Sequence, residues 1–257
     1  MTNEQAFAQA VSSLGNAHNV VVFTGAGVSA ESGIATFRDQ AGGRWNAFDP
    51  ARLATPAAFR RDPARVWGWY EWRRACAAQA RPNAAHVAIA ALQQHVRKLL
   101  VVTQNVDALH ECAGSEAVVH LHGTLQGARC FACARPHALG EPPLPEATPA
   151  CLEPPRCSHC GGRVRPGVVW FGEQLPKREL RTALNAAQQC DLIMVVGTSG
   201  VVYPAAQLPE VALKHGARVI QVNTEPADNA DSPTLVGRAG EWLPKLLSAT
   251  FGAGPTR

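Results

Sequence analysis

At 257 residues and 46% hydrophobic composition, the chain can bury one large core or a main domain with a smaller insert. No stretch approaches the run of about 18 apolar residues that a membrane span needs. Its 24 basic and 20 acidic residues leave a net charge of +4, too mild and too scattered to argue for a nucleic-acid partner.

The N-terminal MTNEQAFAQAV lacks the basic and apolar regions of a secretory leader, so a cytoplasmic location is expected. Ala and Leu at helical spacing over residues 3–16 predict a first helix. Residues 20–38, VVVFTGAGVSAESGIATFR, organise the rest of the chain. Val20, Val21, Val22 and Phe23 read as a buried parallel strand, Gly25 and Gly27 as a turn that lets backbone approach a phosphate, and Ser29 and Ser32 as residues at a helix start. GAGVSA fits the dinucleotide pattern G-x-G-x-x-A, yet the acid expected about 20 positions on would be Asp49, stranded in the turn-like FDP; this speaks against a plain dehydrogenase.

Residues 40–65 are rich in Gly, Pro, Arg and aromatics, which predicts loops and short helices forming a lid or insert. Helices are expected over 64–80 and 83–97, the second with Asn83 as its N-cap. Four more apolar runs, LLVVTQN (99–105), AVVHLHG (117–123), DLIMVVGTS (191–199) and ARVIQVNTE (217–225), end in small or polar residues and alternate with helical stretches. They predict an α/β fold with a doubly wound, Rossmann-like parallel sheet whose ligands gather at the carboxyl ends of the strands. The strand order stays open.

Between 124 and 166 the pattern breaks. Cys130-x-x-Cys133 and Cys157-x-x-Cys160 form two knuckles with a spacer slightly longer than usual, and four thiolates so arranged suit one closed tetrahedral Zn2+. Such a site leaves no coordination position for substrate, so the metal is expected to be structural. Seven prolines in 134–156 predict an irregular connection. Cys151 within it reads as a spare thiol, and Cys76, Cys112 and Cys190 as core or surface thiols. The expected division is a nucleotide-binding domain over 1–123 and 167–257, with a helical and loop insert at about 39–82, and a zinc-binding insert over 124–166.

Placed in order, GAGVSAESGIATFR (25–38), TQNVDALH (103–110), HLHG (120–123), the two knuckles, RPGVVWFGE (165–173), GTSGVVYPA (197–205) and VNTE (222–225) resemble the sirtuin family of NAD-dependent protein-lysine deacylases. Ala35 departs from the family pattern, which usually has proline there. The resemblance implies that an acyl-lysine carbonyl oxygen attacks the nicotinamide ribose of NAD, with a histidine as general base; nicotinamide, free lysine and O-acyl-ADP-ribose leave. His122 occupies the position of that base, and an imidazole suits it. His120 is expected to face the opposite way and to be structural.

By the same resemblance, Gly25, Ala26, Gly27, Ala30 and Arg38 face the diphosphate and nicotinamide end of NAD. Gln104, Asn105, Val106 and Asp107 hold the nicotinamide ribose and carboxamide, a role preferred over the helix capping that Asn and Asp also commonly provide. Gly197, Thr198 and Ser199, with Asn223, Thr224, Glu225 and Ala239, surround the adenosine half; Glu225 supplies the acid missing after the first strand. Val169, Trp170, Phe171, Gly172 and Glu173 flank the peptide from one side, and Gly200, Val201, Val202 and Tyr203 from the other.

Tyr70 and Arg73 stand three apart in WGWYEWRRA, so a helix puts them on one face, where a phenol and a guanidinium can grip a carboxylate. The pair resembles that of sirtuins removing malonyl, succinyl and glutaryl groups, and Ala54 aligns with a small residue that keeps their pocket roomy. The partners expected are acylated lysine side chains of proteins, met by a monomer without nucleic acid or membrane. Two alternatives stand beside this reading: a lysine deacetylase of the same family, and a nicotinamide-dependent dehydrogenase with a structural zinc.

Overall fold

The computed structural model describes residues 2–34, 50–226 and 232–252. Ala35, Arg38 and Asp49 therefore lie outside the described residues. Helix α1 (Asn3–Gly15) starts on a capping box between Thr2 and Gln5 and buries Ala6, Ala10 and Leu14, one stripe at four-residue spacing. Strand β1 (Asn19–Thr24) comes next and ends in the short helix α2 (Gly27–Ala30). Short helices α3 (Pro50–Leu53) and α4 (Pro56–Arg61) precede α5 (Pro63–Gln79), as the composition of 40–65 predicts for its described part. Helix α6 (Ala84–Leu92) is capped by Asn83.

The expected run of that helix to residue 97 is corrected: it stops at Leu92, and turns carry the chain through Gln93 and Gln94 into β2 (Lys98–Thr103). Past Leu92 the sequence offers too few apolar residues at helical spacing to bury another turn. After α7 (Leu109–Cys112) comes β3 (Val118–His120), and here the single strand expected over 117–123 divides. Gly123, at φ +71, turns the chain out of the main sheet and opens β4 (Gly123–Cys130) of a second one. His122 thus sits in the connection between two sheets and not on a strand.

The remaining elements are β5 (Pro136–His137), β6 (Val164–Val168), α8 (Lys177–Gln189), β7 (Leu192–Val196), a 3-10 turn Ala205–Gln207, α9 (Leu208–Lys214), β8 (Arg218–Asn223), β9 (Thr234–Val236) and α10 (Ala239–Phe251). Six parallel strands run in the order β3-β2-β1-β7-β8-β9, and three antiparallel ones in the order β5-β4-β6. The sixth parallel strand, β9, has no counterpart among the expected runs; three residues are too short to show a period.

Alternation along the central strands explains the layering. Val20 and Val22 of β1, with Leu192, Met194 and Val196 of β7, join one apolar cluster with residues of α1, α6 and α10. Val21 and Phe23, with Ile193 and Val195, join the opposite one, under α8 and α9. A third cluster is aromatic: Phe59, Trp67, Trp69 and Tyr70 meet Trp170 and residues of β4 and β6. It seats α5, the Tyr70 and Arg73 helix, against the smaller sheet. Among the described residues no helix is long and apolar enough to cross a membrane.

Candidate functional site

Between β1 and β7 the strand order reverses direction, since successive crossovers go one way from β1 and the other way from β7. At such a switch point the two outgoing loops part and leave a crevice at the carboxyl ends of the strands. A cleft of about 440 Å3 opens there, lined among others by Gly27, Ala30, Gly197, Asn223, Thr224 and Ala239, all expected at the cofactor. Glu31, Gly237 and Arg238 line it too, and the sequence reading missed them. Gly237 and Arg238 join β9 to α10, elements whose place at the crevice comes only from the sheet order, and Glu31, at the end of α2, accepts from Gly240 N at 2.9 Å across it.

Glycines are needed here for close packing of the loops on each other. A Cβ on Gly25 or Gly27 would come within 2.8 Å of the Gly197 backbone, and Gly197 itself adopts φ +59. Gly25 N donates to Val196 O at 3.0 Å and Gly27 N to Gly197 O at 2.8 Å, so the turn is stitched to the next strand's exit. The missing Cβ atoms thus serve the contact between this turn and the exit of β7.

Side chains continue the stitching. Gln104 Nε2 donates to Thr198 Oγ1 at 2.8 Å, and Asn223 Nδ2 to Thr198 O at 3.0 Å. Ser29 Oγ accepts from Asn105 Nδ2 at 3.1 Å and donates to Asp107 Oδ2 at 3.1 Å, while Leu109 N donates to Asp107 Oδ1 at 3.1 Å. Burial raises the Asp107 carboxyl above its ordinary value, and those two donors oppose the rise. Both Asp107 oxygens are engaged within the chain, so its side chain supports Ser29 and the start of α7. Val106 O accepts from Leu125 N at 2.8 Å; Ser199 and Glu225 are exposed at the crevice ends of their strands.

The two histidines of HLHG divide chemically. His122 Nδ1 lies 3.0 Å from Gln104 O, and a carbonyl can only accept, so the proton sits on Nδ1 and Nε2 keeps its lone pair. Burial lowers His122 below the ordinary imidazole value, leaving it neutral and ready to accept a proton near pH 7. His120 has Nδ1 on Asn105 O at 3.0 Å and Nε2 on Glu111 Oε1 at 2.7 Å. Burial would lower it, but the Glu111 carboxylate and the Asn105 carbonyl more than offset this and hold it above its ordinary value. With both nitrogens donating it has no lone pair for base chemistry. The expectation that the rings face opposite ways is corrected: both address carbonyls of the Gln104–Asn105 loop, His120 from the end of β3 and His122 from the turn that follows it.

Residues 169–171 tie three parts of the site together. Val169 N donates to His122 O at 2.8 Å, Trp170 Nε1 to Tyr70 Oη at 3.1 Å, and Phe171 N to Ala54 O at 2.9 Å. Phe171 is 51% exposed and faces outward, as do Val201 at 71% and Tyr203 at 68%. Trp170 is different. Expected along the peptide, it is buried against Phe59 and Tyr70, because its bulk completes the aromatic cluster. Gly172 turns at φ +85, and the Glu173 carboxylate is taken up by Arg165 and by Trp170 N, at 2.8 Å from the latter. Glu173 thus holds the segment's shape.

Tyr70 and Arg73 do share a face of α5. The Arg73 guanidinium lies 4.9 Å from the Trp69 ring centroid and 5.4 Å from that of Tyr70, yet no carboxylate pairs with it among the described residues. Desolvation lowers Arg73 below the usual guanidinium range, partly offset by Tyr70 and by the charge of Asp107.

Cys130, Cys133, Cys157 and Cys160 bring their sulfurs within 4.8 Å of one another, with Cys130 and Cys160 3.5 Å apart and Cys133 and Cys157 3.8 Å apart. Thiolates about 2.3 Å from a tetrahedral zinc stand about 3.8 Å from each other, so the four residues fit that ion. The N–H groups of Ala132 and Cys133 point at Cys130 Sγ at 3.4 Å each and lower that thiol below its ordinary value. Cys151 is exposed and outside the cluster.

The Sir2 family model matches residues 25–204. A Pseudomonas aeruginosa protein named NAD-dependent protein deacylase 1 is 57% identical over 242 residues, covering 93% of this chain and 96% of that protein. Pyrobaculum aerophilum has an NAD-dependent protein deacylase 2 that is 50% identical, with 91% and 92% covered. Among solved structures, a Sir2 homolog–NAD complex superposes with a TM-score of 0.86 at 40% identity over 95% of this chain and 93% of that one. Sir2 bound to acetylated peptide gives 0.79 at 26% identity, covering 96% and 99%. With the glycine turn, both cysteine knuckles and the 169–203 edges inside one matched span, the chain belongs to the Sir2 family.

Proposed function

We propose that this Sir2-family protein is an NAD-dependent protein-lysine deacylase that prefers succinyl, malonyl and glutaryl groups over acetyl. Membership of the family carries the enzyme class and the NAD requirement. The acyl preference rests on a single observation: Arg73 is a half-buried cation with aromatic neighbours and no carboxylate partner among the described residues. A desolvated guanidinium is costly unless an anion meets it, and a carboxylate at the far end of an acyl chain is such an anion. Ala54, small and buried, leaves the acyl chain room.

Bound in the crevice, NAD supplies the ribose that accepts the acyl group and gives up nicotinamide. Gly25, Ala26, Gly27, Ala30 and Arg38 would hold its diphosphate and nicotinamide end, Gln104, Asn105 and Val106 the adjoining ribose, with Asp107 behind them. Gly197, Thr198, Ser199, Asn223, Thr224, Glu225 and Ala239 would hold the adenosine half. His122 takes a hydroxyl proton on Nε2 while its Nδ1–H stays anchored on Gln104 O. The acyl-lysine peptide adds as a strand between Val169–Glu173 and Gly200–Tyr203, bound by backbone hydrogen bonds with little demand on sequence.

The NAD-binding unit comprises 1–123 and 167–257, and the zinc insert 124–166 keeps the smaller sheet folded. The protein works in the cytoplasm, as a monomer, on protein substrates. Rates on acetyl, malonyl, succinyl and glutaryl versions of one peptide, for the parent and for Arg73→Met, test the reading. The acidic groups are expected to be preferred by the parent and to lose that preference in the variant. Equal losses on all four peptides would end the carboxylate assignment.

A further inference from the structure

We propose that Trp170 sets acyl specificity by orienting the Tyr70 hydroxyl, an assignment that rests on the acidic-acyl reading and adds a residue to it. An indole nitrogen can only donate, so the 3.1 Å contact makes the Tyr70 oxygen an acceptor. The phenol's own proton is then left to point elsewhere. Among the described residues no protein acceptor takes it, and Arg73 stands on the same helix face three residues on. A carboxylate drawn to the guanidinium would therefore receive a second, directed hydrogen bond from Tyr70. Burial raises the Tyr70 phenol above its ordinary value, against the pull of Arg73, which keeps that proton in place at neutral pH.

The donor is itself held on several sides. Arg165 lies with its guanidinium carbon 3.4 Å from the Trp170 ring centroid and donates to Val168 O at 2.8 Å and to Pro166 O at 3.2 Å. Glu173 binds Arg165 with both oxygens and accepts from Trp170 N at 2.8 Å. Phe59 packs at 5.4 Å between centroids. An indole so fixed has little rotational freedom, and it transmits that order to an oxygen on another element, about a hundred positions away in the chain. Were Trp170 only filler for the aromatic cluster, removing its N–H would act on all substrates alike.

kcat/KM on acetyl and succinyl versions of one peptide is the measurement, for the parent, Trp170→Phe, Tyr70→Phe, the double variant and Arg73→Met, with each variant's melting recorded. Trp170→Phe and Tyr70→Phe are each expected to lower the succinyl-to-acetyl ratio by roughly tenfold, mainly through KM for the succinyl peptide. The double variant is expected to fall no further than Tyr70→Phe alone. A ratio unchanged in Trp170→Phe, or single effects that multiply in the double variant, would overturn the role of Trp170 while Arg73→Met still abolishes the preference. A ratio unchanged in Arg73→Met would instead remove the acidic-acyl reading on which the proposal stands. Should Trp170→Phe not fold, Tyr70→Phe decides: a ratio equal to the parent's means there is no proton to orient.

Discussion

Helix α5 passes so close to the connection across it that a Cβ on Gly68 would lie 1.8 Å from the carbonyl oxygen of Ala150. That connection, part of the proline-rich segment of the zinc insert, is fastened along the same helix. Leu152 N donates to Ala64 O at 3.0 Å, Trp72 Nε1 to Glu146 O at 2.8 Å and Arg74 Nη1 to Gly140 O at 2.9 Å. The insert thus grips the helix that carries Tyr70 and Arg73. Gly68→Ala is expected to prise them apart and destabilise the protein by about 1–3 kcal/mol in urea unfolding. Gly140→Ala, where nothing lies within 4 Å of the added carbon, should stay within about 0.5 kcal/mol of the parent.

Activity should keep its acid limb low. Because burial lowers His122 from the ordinary 6.5, the proposed base loses its lone pair only at pH below that value, and kcat/KM plotted against pH should begin to fall there. His122→Ala is expected to cost about 10²- to 10⁴-fold in acyl-lysine turnover. Replacing His120 should leave the acid limb in place, since that ring is held charged between Glu111 and Asn105 O.

Folding stability should decline in mild acid. His86 and His110 pack with ring centroids 4.9 Å apart, and among the described residues His86 Nε2 and His110 Nδ1 are buried without partners. Burial lowers them to about 4 and about 3, and the neighbouring His86 adds to the effect on His110. An unfolded chain protonates both near 6.5, so their stabilising contribution is intact above that pH and drains away as pH falls towards the folded values. Each group can remove up to about 1.4 kcal/mol per pH unit over that range. His120 runs the opposite way: its raised value stabilises below 6.5 and ceases to do so as pH rises through the folded value. Urea unfolding at successive pH values checks the balance, and His86→Gln, which keeps an acceptor near Asn83 N, should flatten the acid slope.

Metal removal should unfold the smaller sheet first. Zinc content is expected at one ion per chain, lost in Cys133→Ser and retained in Cys151→Ser, because only the former supplies a sulfur to the cluster. Chelation should lower the melting temperature by several degrees and release the Tyr70 helix from its strap.

Chemistry with a short sequence footprint was legible directly. The runs around Val20–Phe23 and Leu192–Val196 announced central strands through uninterrupted apolarity, the C-x-x-C knuckles announced a tetrahedral sulfur site, and Asn83 announced a helix start. Each depends on neighbours in the chain. The end of α6, the brevity of β3 and the presence of β9 were not legible, since a strand of three residues is defined by the partner it pairs with.

By itself, the order of residues determined that there would be an α/β sheet with a glycine turn, a thiolate cluster, a Tyr-x-x-Arg face and an imidazole at 122. Tertiary structure alone decided which His nitrogen keeps its lone pair, why Gly25 and Gly27 can bear no Cβ, and that Trp170 turns inward to Tyr70 while Phe171 turns out. Those outcomes depend on atoms brought together from distant segments, such as Gln104 O beside His122 and Gly197 beside Gly27. Hydrogen-bond direction and close packing are properties of such meetings, and no local pattern of side chains encodes them.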